Sequence, residues 1–155
     1  MATLAQVAED ADRAVADARA ALTRAVREAS AQGMTQAQIA REIGRSQPEV
    51  SRLLRFHGTS PLARRVRARR AEILEIVGAA GGRQVRVFGS LAEGEDGPES
   101  DVDLIAAFAE PIGLMGLSRL EAALEDLLGT EVDLIPESSI RPGIRDRVLG
   151  QAAPL

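Results

Sequence analysis

The sequence predicts an α+β protein: an all-helical N-terminal region followed by a small domain in which a short mixed sheet is flanked by helices. Three observations predict it. Apolar residues recur at helical spacing through most of the first 77 residues. Short runs at 84–88, 101–108 and 131–135 then read as strands. Between the last two lies an amphipathic stretch, 113–128, that reads as a helix.

Composition narrows the class. The chain has 155 residues, 45% of them hydrophobic but only 2% aromatic, so its core must be built from Leu, Ile, Val and Ala. It has no Cys, which excludes disulfides and thiolate metal sites. No apolar run approaches a membrane span. The acidic start, with Glu9, Asp10 and Asp12, is not a secretory leader, so a cytoplasmic protein without a membrane partner is expected. All 19 basic residues are Arg. The net charge of −4 conceals an asymmetry. Residues 41–70 hold nine Arg against two acids, whereas residues 71–155 hold six Arg against sixteen acids. A basic middle suits a polyanion, and an acidic end suits metal ions.

The elements follow in order. Residues 3–31 read as one long helix, with Leu4, Ala11, Ala18 and Ala25, and Ala8, Val15, Leu22 and Ala29, recurring every seven residues. This stripe fits either packing against its own chain or a homodimer seam. Gly33 breaks the helix. Thr35 caps a short helix to Ile43, Gly44 turns the chain, and Ser46 caps another, with Pro48 in its first turn, to about Phe56. After a linker, Ser60 and Pro61 open a helix that is expected to continue to about Val77. Gly78 to Gly82 is a flexible break. Gln84–Phe88 alternates as a strand, Gly89-Ser90 opens a short helical piece, and Glu93–Ser100 is a polar loop. Pro142–Leu149 reads as a last short helix. The expected partition is therefore 1–32 for the long helix, 33–60 for a segment of two short helices, 61–80 for a connecting helix and 81–155 for the strand-containing domain.

Within Gln36–Leu54, Ile39, Ala40, Ile43, Val50 and Leu53 are the expected inward positions, and Gly44 permits the tight turn. The stretch MTQAQIAREIGRSQPEVSRLL resembles the helix-turn-helix of bacterial transcription regulators. Arg45 departs from that pattern, which more often has an apolar residue there. The resemblance implies that the helix from Gln47 to Arg55 enters the major groove of an operator, with Gln47, Ser51 and Arg52 facing the bases. Arg41, Arg45, Arg55, Arg64 and Arg65 would then meet phosphates.

The chemistry lies in VRVFGSLAEGEDGPESDVDLIAAF and, further on, EVDLIP. Asp101 and Asp103 are two apart at a strand start, so alternation places them on one face, roughly 6–7 Å apart. Such oxygen donors suit Mg2+. Asp133 sits between apolar Val132 and Leu134, where a carboxylate is costly without a partner or a metal. Gly89-Ser90 follows a strand and opens a helical turn, whose backbone N–H groups can cradle phosphate.

Singly these signals are weak; their order is specific. It resembles the minimal nucleotidyltransferases of the DNA polymerase beta superfamily from about residue 70 onward. The resemblance implies that Gly89 and Ser90, with Ser100, hold the nucleotide, and that Asp101, Asp103 and Asp133 bind Mg2+ or Mn2+ and carry catalysis. The implied reaction moves AMP from ATP to an acceptor hydroxyl. One position departs from the family pattern GSxARG, because Glu93 stands where Arg is usual. With only 22 residues after Asp133, no acceptor domain is expected in the chain, and the acceptor is expected on a partner protein. The resemblance extends to antitoxins paired with HEPN-type toxins, for which a DNA reader would serve operon autoregulation. A catalytically degenerate repressor-antitoxin that only grips its partner is the alternative.

Overall fold

The computed structural model describes residues 1–155 and shows an α+β chain of eight helices and one four-stranded mixed sheet. No helix is long and apolar enough to cross a membrane. Helix α1 (Leu4–Ala31) is opened by Thr3, whose hydroxyl accepts from the Gln6 N–H while the Gln6 side chain reaches back. The same reciprocal cap opens α2 (Gln36–Ile43) from Thr35 and α3 (Gln47–Leu54) from Ser46. Gly44 ends α2 at φ +64°, a conformation costly for any residue with a Cβ. These three helices share a small core of Val26, Ile39, Ala40, Val50 and Leu54. The expected inward residue Leu53 is only half-buried, and Leu54 takes the interior place. One residue is a rotation of about 100° on a helix, and the approach to α1 favours the later position.

Only the C-terminal part of α1 is covered. Residues 4–19 are exposed, with Leu4 at 90% and Val15 at 51% of their free area. Intramolecular packing therefore uses Leu22, Val26 and Ala29, and leaves the earlier half of the stripe bare.

The helix expected from Ser60 to Val77 is two helices, α4 (Pro61–Ala68) and α5 (Arg70–Ala79). Arg69 leaves helical geometry at φ −97°, ψ 11°. The break is local, for Arg69 N–H still donates to the Arg65 carbonyl and Ile73 N–H to the Arg69 carbonyl. Residues 61–80 are the expected connector. Their Leu62, Ala63, Val66, Ile73 and Val77 share one hydrophobic core with the sheet.

The sheet order is β3-β2-β1-β4. Strand β1 (Gly82–Phe88) pairs antiparallel with β2 (Val102–Phe108), and β2 pairs parallel with β3 (Val132–Pro136). Helix α6 (Gly89–Glu93) follows β1, and α7 (Leu114–Leu128) crosses from β2 to β3. Helix α8 (Pro142–Gln151) packs on α1, where Gly150 allows close approach to Glu28. Strand β4 (Ala153–Pro154) was not foreseen, since two residues carry no periodicity. One sheet face, with Val85, Val87, Val102, Leu104, Ala106, Val132 and Leu134, packs on α4, α5 and α7.

Candidate active site

With those alternate residues committed to the core, their neighbours must face the other way. The parallel register sets Asp103 directly beside Asp133, and the antiparallel register sets Phe88 on the other side of Asp103. Asp101 lies one residue before β2 and is exposed, Asp133 is exposed on β3, and Asp103 between them is half-buried. The structure thus brings the three expected carboxylates to one end of the neighbouring strands β2 and β3.

They act on one another electrostatically. The Asp103 carboxyl is pushed up from the ordinary carboxylate range, first by burial and then by the charges of Asp133 and Asp101. None of the three belongs to an ion pair. They do not close into a ready-made cage, for no three His, Cys, Asp or Glu side chains stand close enough to chelate. Like charges without a counterion hold apart.

Gly89 adjoins this row. Its φ is +69°, and a Cβ there would fall 2.5 Å from Asp103 Oδ2. Glycine is therefore required twice, by backbone conformation and by space. It opens α6 with no side chain capping the first turn, which leaves backbone donors beside an uncompensated carboxylate. The missing side chain at Gly89 lets the Asp103 carboxylate lie against the backbone, and an all-oxygen donor set with surplus negative charge fits a hard divalent cation.

Ser100 plays a local part. Its hydroxyl accepts from the Gly97 N–H at 2.8 Å and so closes the polar loop before β2. Asp96 in that loop accepts from the Ser60 hydroxyl at the start of α4, which ties the loop to the helical layer.

Two residues unforeseen from the sequence position Asp133. Strand β3 is an edge strand, and its outward N–H groups need acceptors. The Glu125 carboxylate accepts from Val132 N–H at 3.2 Å, and Glu121 accepts from Leu134 N–H at 3.0 Å. The two clamps hold the strand on either side of Asp133. Their i,i+4 spacing on α7 was visible in the sequence, but ordinary solvated helix faces show it too.

The basic residues gather elsewhere. Gln47, Arg45, Arg52 and Arg55 are exposed on and around α3, Ser51 is half-buried, and Val50 anchors the helix inward. Arg55, Arg64, Arg67 and Arg70 line one depression of about 520 Å³. Arg65, expected among the phosphate contacts, donates to the Leu128 carbonyl at 2.9 Å and so serves the C-terminus of α7. Glu93 ends α6 exposed and unpaired.

A family model described as nucleotidyltransferase domain matches residues 70–153, more than half of the chain. The chain belongs to this family. The nucleotidyltransferase domain begins inside α5 by this match, which agrees with the sharing of one core by α5 and the sheet. A candidate protein adenylyltransferase of Methanocaldococcus jannaschii, MJ0435, is 38% identical over 81 residues, covering 52% of this chain and 87% of that protein. The protein adenylyltransferase MntA of Thermococcus cleftensis is 45% identical over 69 residues, 44% of this chain and 70% of its own length. A solved structure described as a candidate minimal nucleotidyltransferase superposes with a TM-score of 0.56 at 42% identity, covering 64% of this chain and all of that one.

Proposed function

We propose that this protein transfers AMP from ATP to a hydroxyl on a partner protein, and that its helical region binds operator DNA. The observation that carries the first claim is the row Asp103–Asp133 in register, with Gly89 lacking the side chain that would displace the Asp103 carboxylate. Likeness to the protein adenylyltransferases gives the nucleotide and the acceptor class. In this reading Asp101, Asp103 and Asp133 would hold Mg2+ or Mn2+, which supplies charge neutralisation for the reacting phosphates. The backbone of Gly89 and Ser90 holds phosphate oxygens at the start of α6. Asp133, exposed at the sheet edge, takes the proton of the attacking hydroxyl. That oxygen bonds to the α-phosphorus, the bond to the β-phosphate bridge breaks, and pyrophosphate leaves. Ser100 keeps the loop beside Asp101 in shape. Glu121 and Glu125 hold β3 in place.

The partner is a toxin of the HEPN type, with this chain as its antitoxin. In the DNA-binding reading, Gln47, Ser51 and Arg52 meet base edges. Arg45, Arg55, Arg64, Arg67 and Arg70 meet phosphates, because four of them already surround one depression beside α3. The bare stripe Leu4, Val7, Ala11 and Val15 is the homodimer seam that a two-fold operator calls for. The proposed partition is a long helix over 1–32, a DNA reader over 33–60, a connecting helix over 61–80 whose apolar face packs on the sheet, and the transferase over 81–155.

The test incubates the full chain with α-labelled ATP, Mg2+ and the product of the neighbouring gene. Label is expected on the partner, and Asp101→Ala with Asp103→Ala should remove it. Glu93 in place of Arg favours a second reading, a degenerate transferase that only grips its partner. Tight complex formation without label, unchanged in the double variant, would establish that reading instead.

A further inference from the structure

Arg27 breaks a rule that the rest of the helical region keeps. It lies on α1 and retains only 7% of its free exposure. Buried charges are normally paired. Arg27 appears in no ion pair of the structure. Its one hydrogen bond, from Nη2 to the Arg55 carbonyl, is long at 3.4 Å. Its Nε is buried with no acceptor at all. Burial pushes the guanidinium down to about 10 with no carboxylate to restore it.

The side chain lines a cleft of about 360 Å³ between α1, the Phe56–Thr59 linker and the end of α6. Arg19 and Arg24, both exposed, line the same cleft from α1, and His57 lines it from the linker. The single acid on its wall is Glu93, and apolar Ala20, Phe56 and Leu91 lie among the arginines. The volume is that of a small-molecule pocket. Three guanidiniums against one carboxylate select an anion, and unused N–H donors on a planar group suit phosphate oxygens.

We propose that this cleft is a second ligand site, separate from the carboxylate row, that binds the phosphate groups of a nucleotide or a free oligophosphate through Arg19, Arg24 and Arg27. A ligand there touches α1, on which α2 and α3 pack, and α6, which begins at Gly89. Its occupancy therefore bears on both halves of the molecule at once.

The test is calorimetric titration of the full-length Asp101→Ala/Asp103→Ala protein with sodium tripolyphosphate in EDTA and low salt, so that no cation recruits the anion to the carboxylates. One saturable site per chain is expected. Arg27→Met, which keeps the length and apolar stem, should weaken it at least tenfold and leave the chain folded, since it removes an unpaired buried charge. Arg19→Ala/Arg24→Ala, on exposed positions, should weaken it to a similar degree. ATP binding more tightly than tripolyphosphate assigns the anion to a nucleotide, and equal affinity assigns it to the free oligophosphate. No saturable binding, affinity untouched by the Arg19/Arg24 pair, or adenosine binding as tightly as ATP would each overturn the proposal.

Discussion

The helical half and the sheet half treat their polar groups in opposite ways. In α1, α2 and α3 each start is closed by a reciprocal cap, and each turn residue suits its conformation. Local preference and global fold agree there. Around the carboxylate row the agreement fails at two neighbouring points. Gly89 has no room for a Cβ, and Asp103 is half-buried beside two like charges. Rules broken together in one place mark stored cost, and stored cost marks a site. A third irregularity, Gln84 at φ +52°, lies at the other end of β1. Arg27 is the exception in the helical half, and it too lies on a cleft.

The comparison can be broken, first, at Gly89. Gly89→Ala forces a Cβ into Asp103 and a left-handed backbone on alanine. A stability loss of about 1–3 kcal/mol is expected by chemical denaturation, together with loss of AMP transfer. A variant as stable and active as the parent would show that the missing side chain at Gly89 is not required.

Next in size is the DNA recognition proposed for the helical half. Arg52→Ala is expected to relax base preference at one operator position by about 1–3 kcal/mol. Arg64→Ala should weaken binding to all sequences alike and reduce the salt slope by about one. Fluorescence anisotropy on operator and scrambled duplexes at several salt concentrations separates the two. Equal effects of both substitutions on every duplex would reverse the orientation assigned to α3.

Asp103→Asn sharpens the contrast through pH. The folded chain holds a proton on Asp103 more readily than the unfolded chain does, because the carboxyl is raised. In the window between the ordinary carboxylate range and that raised value, folding takes up protons, so stability falls as pH rises. The asparagine variant should lose this dependence and melt higher than the parent at neutral pH, while losing transfer. A lower melting temperature at neutral pH would mean that Asp103 is stabilised rather than strained. The smallest expected effect is at the bulge in β1: Gln84→Gly should stabilise by about 0.5–1 kcal/mol, because glycine tolerates positive φ.

Much of this was legible in the sequence where causes are local. Thr35, Ser46 and Ser60 mark helix starts with their own hydroxyls, and alternation around Asp103 and Asp133 marks strands and their outward face. What stayed hidden depends on residues far apart in the chain. The break at Arg69 carries no local mark, since neither Gly nor Pro stands there. The clamps from Glu121 and Glu125 to β3, the service of Arg65 to Leu128, and the stranding of Arg27 are all tertiary events. The carboxylates were expected to converge, and they gather at one end of β2 and β3 without closing into a cage.

The most direct measurement is Mn2+ binding followed by electron paramagnetic resonance, in the presence of a non-hydrolysable ATP analogue. The wild-type chain is expected to remove Mn2+ from solution at a saturable site, and Asp103→Asn and Asp133→Asn should each abolish that uptake while remaining folded. Equal uptake by all three proteins, or none by the wild type, would contradict the assignment of this end of β2 and β3 as a transferase centre.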